Sequence, residues 1–585
     1  MSRLYFLFFI FSLSLTHSQN KRNIRYSPLV KDSFFLRSVP QSRKNKIEKI
    51  ELLYSDVYGV EKDKYNGNPF FRGNATFSHK GSLLTADVVV LYSKENFVKA
   101  YGGVMLKNSD GSVITSQEME YDGNTERGIA RKNVRLRDNQ QTIETEALYY
   151  DRWASRAYFD SGGIIWAEDK KMTTRSAVYH LAEKIIDFSG DVRIESPDYS
   201  LKGTNLRQNQ NTNVAFFWGP TTIVNKKNPT NTLYTEEGTF DDNAQEAYLN
   251  FNSIIRYRNK TLRGDRMYYN QLTGYGTAKG NVRLEDPEEK RYVMGGYGEI
   301  FEKKDSTVIT EKPYAVKIFA KDSVYFSAQK FIAFQRIDST DKEKKKTFLR
   351  AYKKARLYKS DMQARADSLS FNETDGTVQL EGKPILWNYD RQVSGDSVRI
   401  FLNAEKERID SLYVLGHAFA ISKSDSLNLK DEFDQVKGKQ MRVYYRDNQI
   451  RAAKVIGNAE AIIYADEKRG KRQNKERIGV NISSCGIIEA EFVERKVEVI
   501  SCNIGAKSTL YPMSKISKNQ RFFSDFNWNT KDRPKKWRDI FLDSPNYEEK
   551  VYESDNLLYE KAQEKLERER KKRESQLPKR AKRRE

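Results

Sequence analysis

The chain has 585 residues and a formal net charge of +22; 38% of it is hydrophobic and 31% charged, with 34 tyrosines, 31 phenylalanines, four histidines and two cysteines. That apolar share is low for a compact core and normal for narrow layered sheets with one wet face. The histidines, His17, His79, His180 and His417, lie far apart without ligand-like spacing, so no metal and no cofactor is expected.

Taken in order, residues 1–18 read as a cleaved secretory signal peptide. Arg3 supplies the positive start, Leu4 to Leu15 the apolar run, and Thr16-His17-Ser18 the small residues around a cleavage point. That run is too short to cross roughly 30 Å of hydrocarbon as a helix. Residues 19–48 are polar and basic and read as a flexible lead-in. The first strand is expected from Ile50 to Tyr54.

From there a two-strand unit recurs, cleanest in Arg263 to Asp286. Met267 and Tyr269 sit two apart, a polar turn follows, and Val282 and Leu284 again sit two apart after Gly280. Period-two alternation means strands with one apolar face. The same frame returns as Met119, Tyr121 with Val134, Leu136; as Leu148, Tyr150 with Ile164, Trp166; and as Val178, His180 with Val192, Ile194. The glycine that opens the second strand stands at 73, 102, 162, 190, 219 and 280, with Lys132 and Phe251 in the two missing places. The steps are 29, 30, 30, 28, 29, 32 and 29 residues. Weaker copies fit near Pro313 and Lys354, and the frame returns at Gly382, Gly416, Gly457 and Cys502, making about fourteen copies.

Such spacing marks stacked units, none of which buries its apolar face alone. The glycine suits a tight turn or bulge needing positive φ, and the preceding alanines at 100, 130, 157 and 278 suit a crowded corner. Residues 49–337 form the first half of the array, the charged run 338–346 a solvated loop, and residues 347–512 the second half. Cys485 and Cys502 flank a hairpin turn near Glu494, a geometry that admits either a disulfide or two buried thiols. Residues 513–585 lack the frame and read as a basic tail, helical or disordered, whose last fifteen residues carry eight Lys or Arg against two Glu. Such a tail suits contact with an anionic membrane or acidic sugar.

Gly264-Asp265-Arg266-Met267-Tyr268-Tyr269 with Gly280-Asn281-Val282-Arg283-Leu284, together with Ala86-Asp87 and Gly102, Ala366-Asp367 and Gly382, and Gly395-Asp396 and Gly416, resembles the organic-solvent-tolerance (OstA-like) family. These are periplasmic lipopolysaccharide-transport proteins of the LptA type and the periplasmic domain of LptD. The resemblance covers roughly residues 49–512. It implies an all-β protein, an elongated β-jellyroll of folded-over antiparallel sheets, located in the periplasm and in contact with the outer membrane. Its partners would be lipopolysaccharide and other transport components, or a second copy paired through edge strands. This chain is much longer than the small bridge protein, and no run of membrane strands follows the array.

On that reading Met119, Tyr121, Val134, Leu136, Leu148, Tyr150, Ile164, Trp166, Val192, Ile194, Met267, Tyr269, Val282 and Leu284 line a lipid groove in a body of roughly 65 Å or more. The alternatives are a secreted scaffold with a closed core and a polysaccharide-active solenoid. Asp265, Asp367 and Asp396 recur in every second copy, which argues for turn chemistry over an active site, so no enzyme is expected. The positive charge of a secreted chain without a nucleic-acid module is better matched by lipopolysaccharide phosphates than by nucleic acid.

Overall fold

A computed structural model of the chain describes residues 48–541 and 568, apart from 168, 258–259, 271, 289, 320–321, 338–344, 404–407, 425–431, 448, 470–473 and 495. The expected signal peptide and lead-in up to residue 47, most of the charged run and the tail beyond 541 (save residue 568) therefore lie outside the described residues. The described residues hold thirty-six strands and four short 3-10 turns. All the strand pairings recorded are antiparallel, and nearly all join neighbours in the chain or the two pieces of a bent neighbour. The strands read from the alternation, and the all-β antiparallel class that the resemblance implies, are what the fold shows. Two compact units part at Leu249/Asn250. The charged run is not that boundary: the strands on its two sides, Lys330–Ile337 and Lys345–Lys359, pair directly as one hairpin.

Each repeat bends at one place. In the first unit Arg72 faces Val88 and Ala75 faces Ala86, so Gly73 and Asn74 together oppose the single residue Asp87. The same two-against-one count places Gly102-Gly103 against Gln117, Lys132-Asn133 against Glu146 and Gly190-Asp191 against Thr204. In the second unit it places Gly280-Asn281 against Gly296, Lys353-Lys354 against Asp367 and Gly416-His417 against Lys439. Both members of each pair have positive φ. A two-residue bulge of this kind bends and twists the ladder, and its repetition in register makes a corner that folds the sheet into two layers.

The bulge also sets which side chains face inward. On Val113–Asp122 the buried positions are Ile114 and Ser116 before the corner and Met119 and Tyr121 after it, so the parity changes once. On Arg127–Arg137 Ala130, Val134 and Leu136 are buried and the parity holds. At the corner itself the inward residue is small. Ala86, Ser116, Thr145, Thr174 and Gly203 occupy it in succession. The hydroxyls there donate to corner carbonyls, Thr145 Oγ1 to Gly162 O at 2.8 Å and Ser116 Oγ to Glu118 O at 2.9 Å, which satisfies polar groups that burial would otherwise penalise.

Candidate functional site

Each unit has its own buried inner face. Of the fourteen residues expected to line it, Met119, Tyr121, Val134, Leu136, Leu148, Tyr150, Val192, Ile194, Met267, Tyr269 and Val282 are buried on that face, 1–8% exposed. Leu284 is half-buried, in register between Leu262 and Val293. Ile164 and Trp166 are displaced. Trp166 is 42% exposed, donating Nε1 to Glu144 Oε2 at 3.2 Å beneath the Lys171 ammonium, and Ile165 is the fully buried neighbour.

The cause is one residue of register. Ile143 pairs with Ile165 where Ile114 pairs with Leu136, so Gly162 stands in the second bulge position, not the first. Placing the corner at Ser161 makes the steps on either side equal at 29 residues. A one-residue slip turns every side chain of the strand to the other face. The same slip explains the tyrosine slot of the next strand: Tyr179 is buried there, while His180 faces Asp187 at 3.2 Å on the outer side.

The layers are closed on each other in this form. A trough wide enough for an acyl chain would leave its lining open to water, yet the lining residues are nearly all inaccessible. Opposite the corner, where the hairpin ends of the two layers meet, polar groups lace the first unit shut. The Lys80 ammonium meets the Glu126 carboxylate, and Arg152 donates to the His79 and Lys80 carbonyls. Tyr121 Oη lies 2.8 Å from His79 Nδ1, and Tyr179 Oη donates to Asp138, which also pairs with Lys184 at 3.3 Å. Gln210 Nε2 donates to Gln141 Oε1 at 2.9 Å.

Burial pushes the His79 imidazole below the ordinary histidine range and, against it, the Tyr121 phenol up to about 12. Burial alone would raise Asp138, but the Tyr179 hydroxyl, the Gln140 and Gln141 amides and the Lys184 charge outweigh it and hold the carboxyl below its usual range. These partners stand 41 to 46 residues apart, about one and a half repeats, or 69 to 73 apart, about two and a half, spacings the single-repeat frame does not show.

The recurring aspartates belong to the corners. A Cβ added to Gly102 would overlap Asp87, and one added to Gly280, Gly382 or Gly416 would overlap Asp265, Asp367 or Asp396 in the same way. Their carboxylates pack over left-handed glycines, the turn role expected of them. His417 Nδ1 sits 2.9 Å from Asp396 there, and His79, His180 and His417 are each tied to a different partner. Cys485 and Cys502 are joined as a disulfide across the hairpin that turns at Glu494.

The second unit adds what the repeat frame could not show. Residues 513–541 do not form a helix beyond two single 3-10 turns. They run as a strap across the outer face of one layer, where Ile516, Phe523, Phe526, Trp528, Trp537, Ile540 and Phe541 join apolar clusters. The expectation of a helical or disordered tail is corrected for this stretch.

These features define a repeat-built, folded-over antiparallel β protein with an apolar inner face. Residues 47–204 match the family model described as OstA-like protein, so the first unit carries an OstA-like domain. No curated protein matches the chain. Among solved structures the chain is similar to LptH of Pseudomonas aeruginosa, described as the LptA-homologous periplasmic component of the conserved lipopolysaccharide transport device. The match has 14% identity and a TM-score of 0.19, covering 26% of this chain and 99% of that one.

Proposed function

We propose that this protein is a periplasmic lipid-binding bridge that carries lipopolysaccharide toward the outer membrane along the inner face of its folded sheet. The observation that carries the reading is the unbroken succession of buried apolar positions, from Phe77 and Leu84 through Met119, Leu148 and Ile194, inside an OstA-like domain. Each acyl methylene moved out of water gains about 0.8 kcal/mol, so such a face, once parted, is a favourable place for fatty chains. Because the layers are closed, loading requires the laced hairpin ends to separate while the corner flexes. Sugars and phosphates then remain outside among the basic side chains.

Further partners fit the edges. The strands Glu51–Tyr54 and Val57–Val60 expose Leu53, Val57 and Tyr58, and Lys496–Asn503 and Lys507–Pro512 expose Val499, Ile500 and Leu510. Other transport components, or a second copy, would add strands there. The role is binding and transfer, without catalysis, cofactor or nucleic acid, and the basic tail would meet anionic membrane or sugar.

Photocrosslinking amino acids placed in cells at Met119, Leu148 and Ile165 are expected to capture lipopolysaccharide, and those at Trp166 and Arg135 are not. A second reading, a secreted scaffold with a permanently filled core, is favoured by the low exposure of the lining. Capture at none of the inward sites, or equally at the outward ones, selects it.

A further inference from the structure

Three glutamines on the outer face of the strapped layer are fully buried: Gln363, Gln392 and Gln435 are 3%, 2% and 0% exposed. A buried side-chain amide is costly unless both its carbonyl and its NH2 are bonded. On the outer face of a sheet the neighbouring strands have already spent their main-chain groups on the ladder. The layer itself supplies some partners, the Phe433 carbonyl to Gln435 Nε2 at 3.2 Å and the Trp387 indole to Gln392 Oε1 at 3.2 Å, and whatever covers the face must supply the rest.

The strap meets two of them, Gln392 and Gln435, with its backbone, whereas Gln363 donates Nε2 to the Lys359 carbonyl of its own layer at 2.7 Å. Gln392 Nε2 donates to Asn527 O at 2.7 Å, and its Oε1 accepts from the Asn529 amide at 2.8 Å. Gln435 repeats the motif one stage away, donating to Arg521 O at 2.8 Å and accepting from the Phe523 amide at 3.0 Å. In each case one side-chain amide takes the carbonyl of residue i and the N–H of residue i+2, which in an extended chain point to the same side. This is how a strand edge recognises an extended peptide, carried out here by side chains. Trp387 Nε1 adds a donor to Asn529 O at 2.8 Å, and Gln363 Oε1 accepts from Arg533 Nε at 2.8 Å.

Between these clamps lie apolar sockets. Phe433 holds Phe526 and Trp528 with ring centroids 5.3 Å away, and Tyr325 stacks on Trp537 at 5.2 Å. Strand parity separates this face from the interior. Ala418 and Ala420 pack on the inner core while Phe419 and Ile421 pack under the strap, and Ala461 and Ile462 divide in the same way.

We propose that the outer face of this layer is a binding track for an extended, aromatic-bearing peptide, and that residues 513–541 of the same chain are its resident ligand. Main-chain reading by glutamine amides supplies affinity, and the sockets set the spacing of the aromatic side chains. The layer so backed is covered on both faces, so flexing at the corner falls to the opposite layer.

Amide hydrogen exchange on the full chain tests the clamps. The Phe523 and Asn529 amides are expected to exchange as slowly as strand amides, and at least tenfold faster in the Gln392→Leu, Gln435→Leu variant, with the Leu412 and Val414 amides unchanged. A fluorescein-labelled peptide of residues 513–541 tests the track. It should bind the full chain carrying Trp528→Ser and Trp537→Ser at least tenfold more tightly than the wild-type chain, whose track is filled. Exchange of Phe523 and Asn529 at the rate of exposed amides in the wild type overturns the proposal. So does equal peptide binding to wild-type and strap-variant chains, or equal binding of a scrambled peptide. Should the glutamine variant lose its strand signal in circular dichroism, the wild-type exchange rates and the peptide titration decide without it.

Discussion

Replacing Gly102 by Ala tests whether the folded corner rests on a matched pair of residues. Gly102 has φ +75°, and a Cβ there would lie 3.0 Å from both Cβ and Cγ of Asp87 while overlapping its carboxylate oxygen. The left-handed backbone costs a non-glycine residue about 1–2 kcal/mol. The overlap adds about 1–3 kcal/mol of overpacking, since both strands are held by the ladder. The single change should therefore destabilise the first unit by about 2–5 kcal/mol. Lys132 occupies the equivalent place with φ +66° opposite Gln117, a residue with no β-carboxylate, so the backbone conformation alone is tolerable. Adding Asp87→Ala should remove most of the steric part, leaving a coupling of about 1–2 kcal/mol in a double-mutant cycle. Urea unfolding followed by exchange of the amides in Ser82–Tyr92 and Phe97–Lys107 reads the local cost, because an array need not unfold as one unit. A cost below about 0.5 kcal/mol for Gly102→Ala, or a cost unchanged by Asp87→Ala, would refute the packing account of the corner.

Tethering the hairpin ends should block loading: Lys80→Cys with Glu126→Cys, joined by a short bis-maleimide, is expected to cut lipid capture at Met119 at least tenfold, and undiminished capture would show that the lips need not part. Acid should loosen the same ends. His79 is depressed, so its contribution is present above the unfolded value of about 6.5 and lost as pH falls below it; Asp138 is depressed too, so its contribution is lost further down, from about pH 4. Exchange of the Lys80 and Arg152 amides between pH 7 and about 2, corrected for the intrinsic pH dependence of exchange, reads both steps, and a flat profile contradicts them. Burial pushes Asp434 up to about 6 although it accepts from the Tyr464 amide at 2.9 Å. Its folded value lies above its unfolded one, so stability falls as pH rises from about 4 to 6, and Asp434→Asn should stabilise the second unit by up to about 2–3 kcal/mol at pH 7 and by little at pH 4. Equal melting temperatures of the two chains at pH 7 would contradict this.

The residues that sequence could place are those whose conformation is dictated locally. Period-two alternation fixed the inward faces of Met119, Leu148 and Val192 because a strand offers only two sides. The glycine spacing located the corners because a bulge of two left-handed residues admits few residue types. Where that marker was ambiguous the reading slipped: Gly162 fills the second bulge position, and Ile164 and Trp166 were turned to the wrong face. Equal 29-residue steps around Ser161 were the available correction.

What only the tertiary structure decided depends on groups far apart in the chain. Lys80 finds Glu126 and Asp138 finds Lys184 across the fold of the sheet, and neither contact leaves a mark within one repeat. The strap left a fainter sign. Phe419-Ala420-Ile421 and Ile385-Leu386-Trp387 are apolar on both faces, as in strands covered twice, but nothing local says that residues 513–541 supply the cover. Alternation and spacing are properties of neighbours along the chain and are written in the sequence. Which layer is covered, and whether the two layers stand apart or close, depends on packing between residues that only folding brings together.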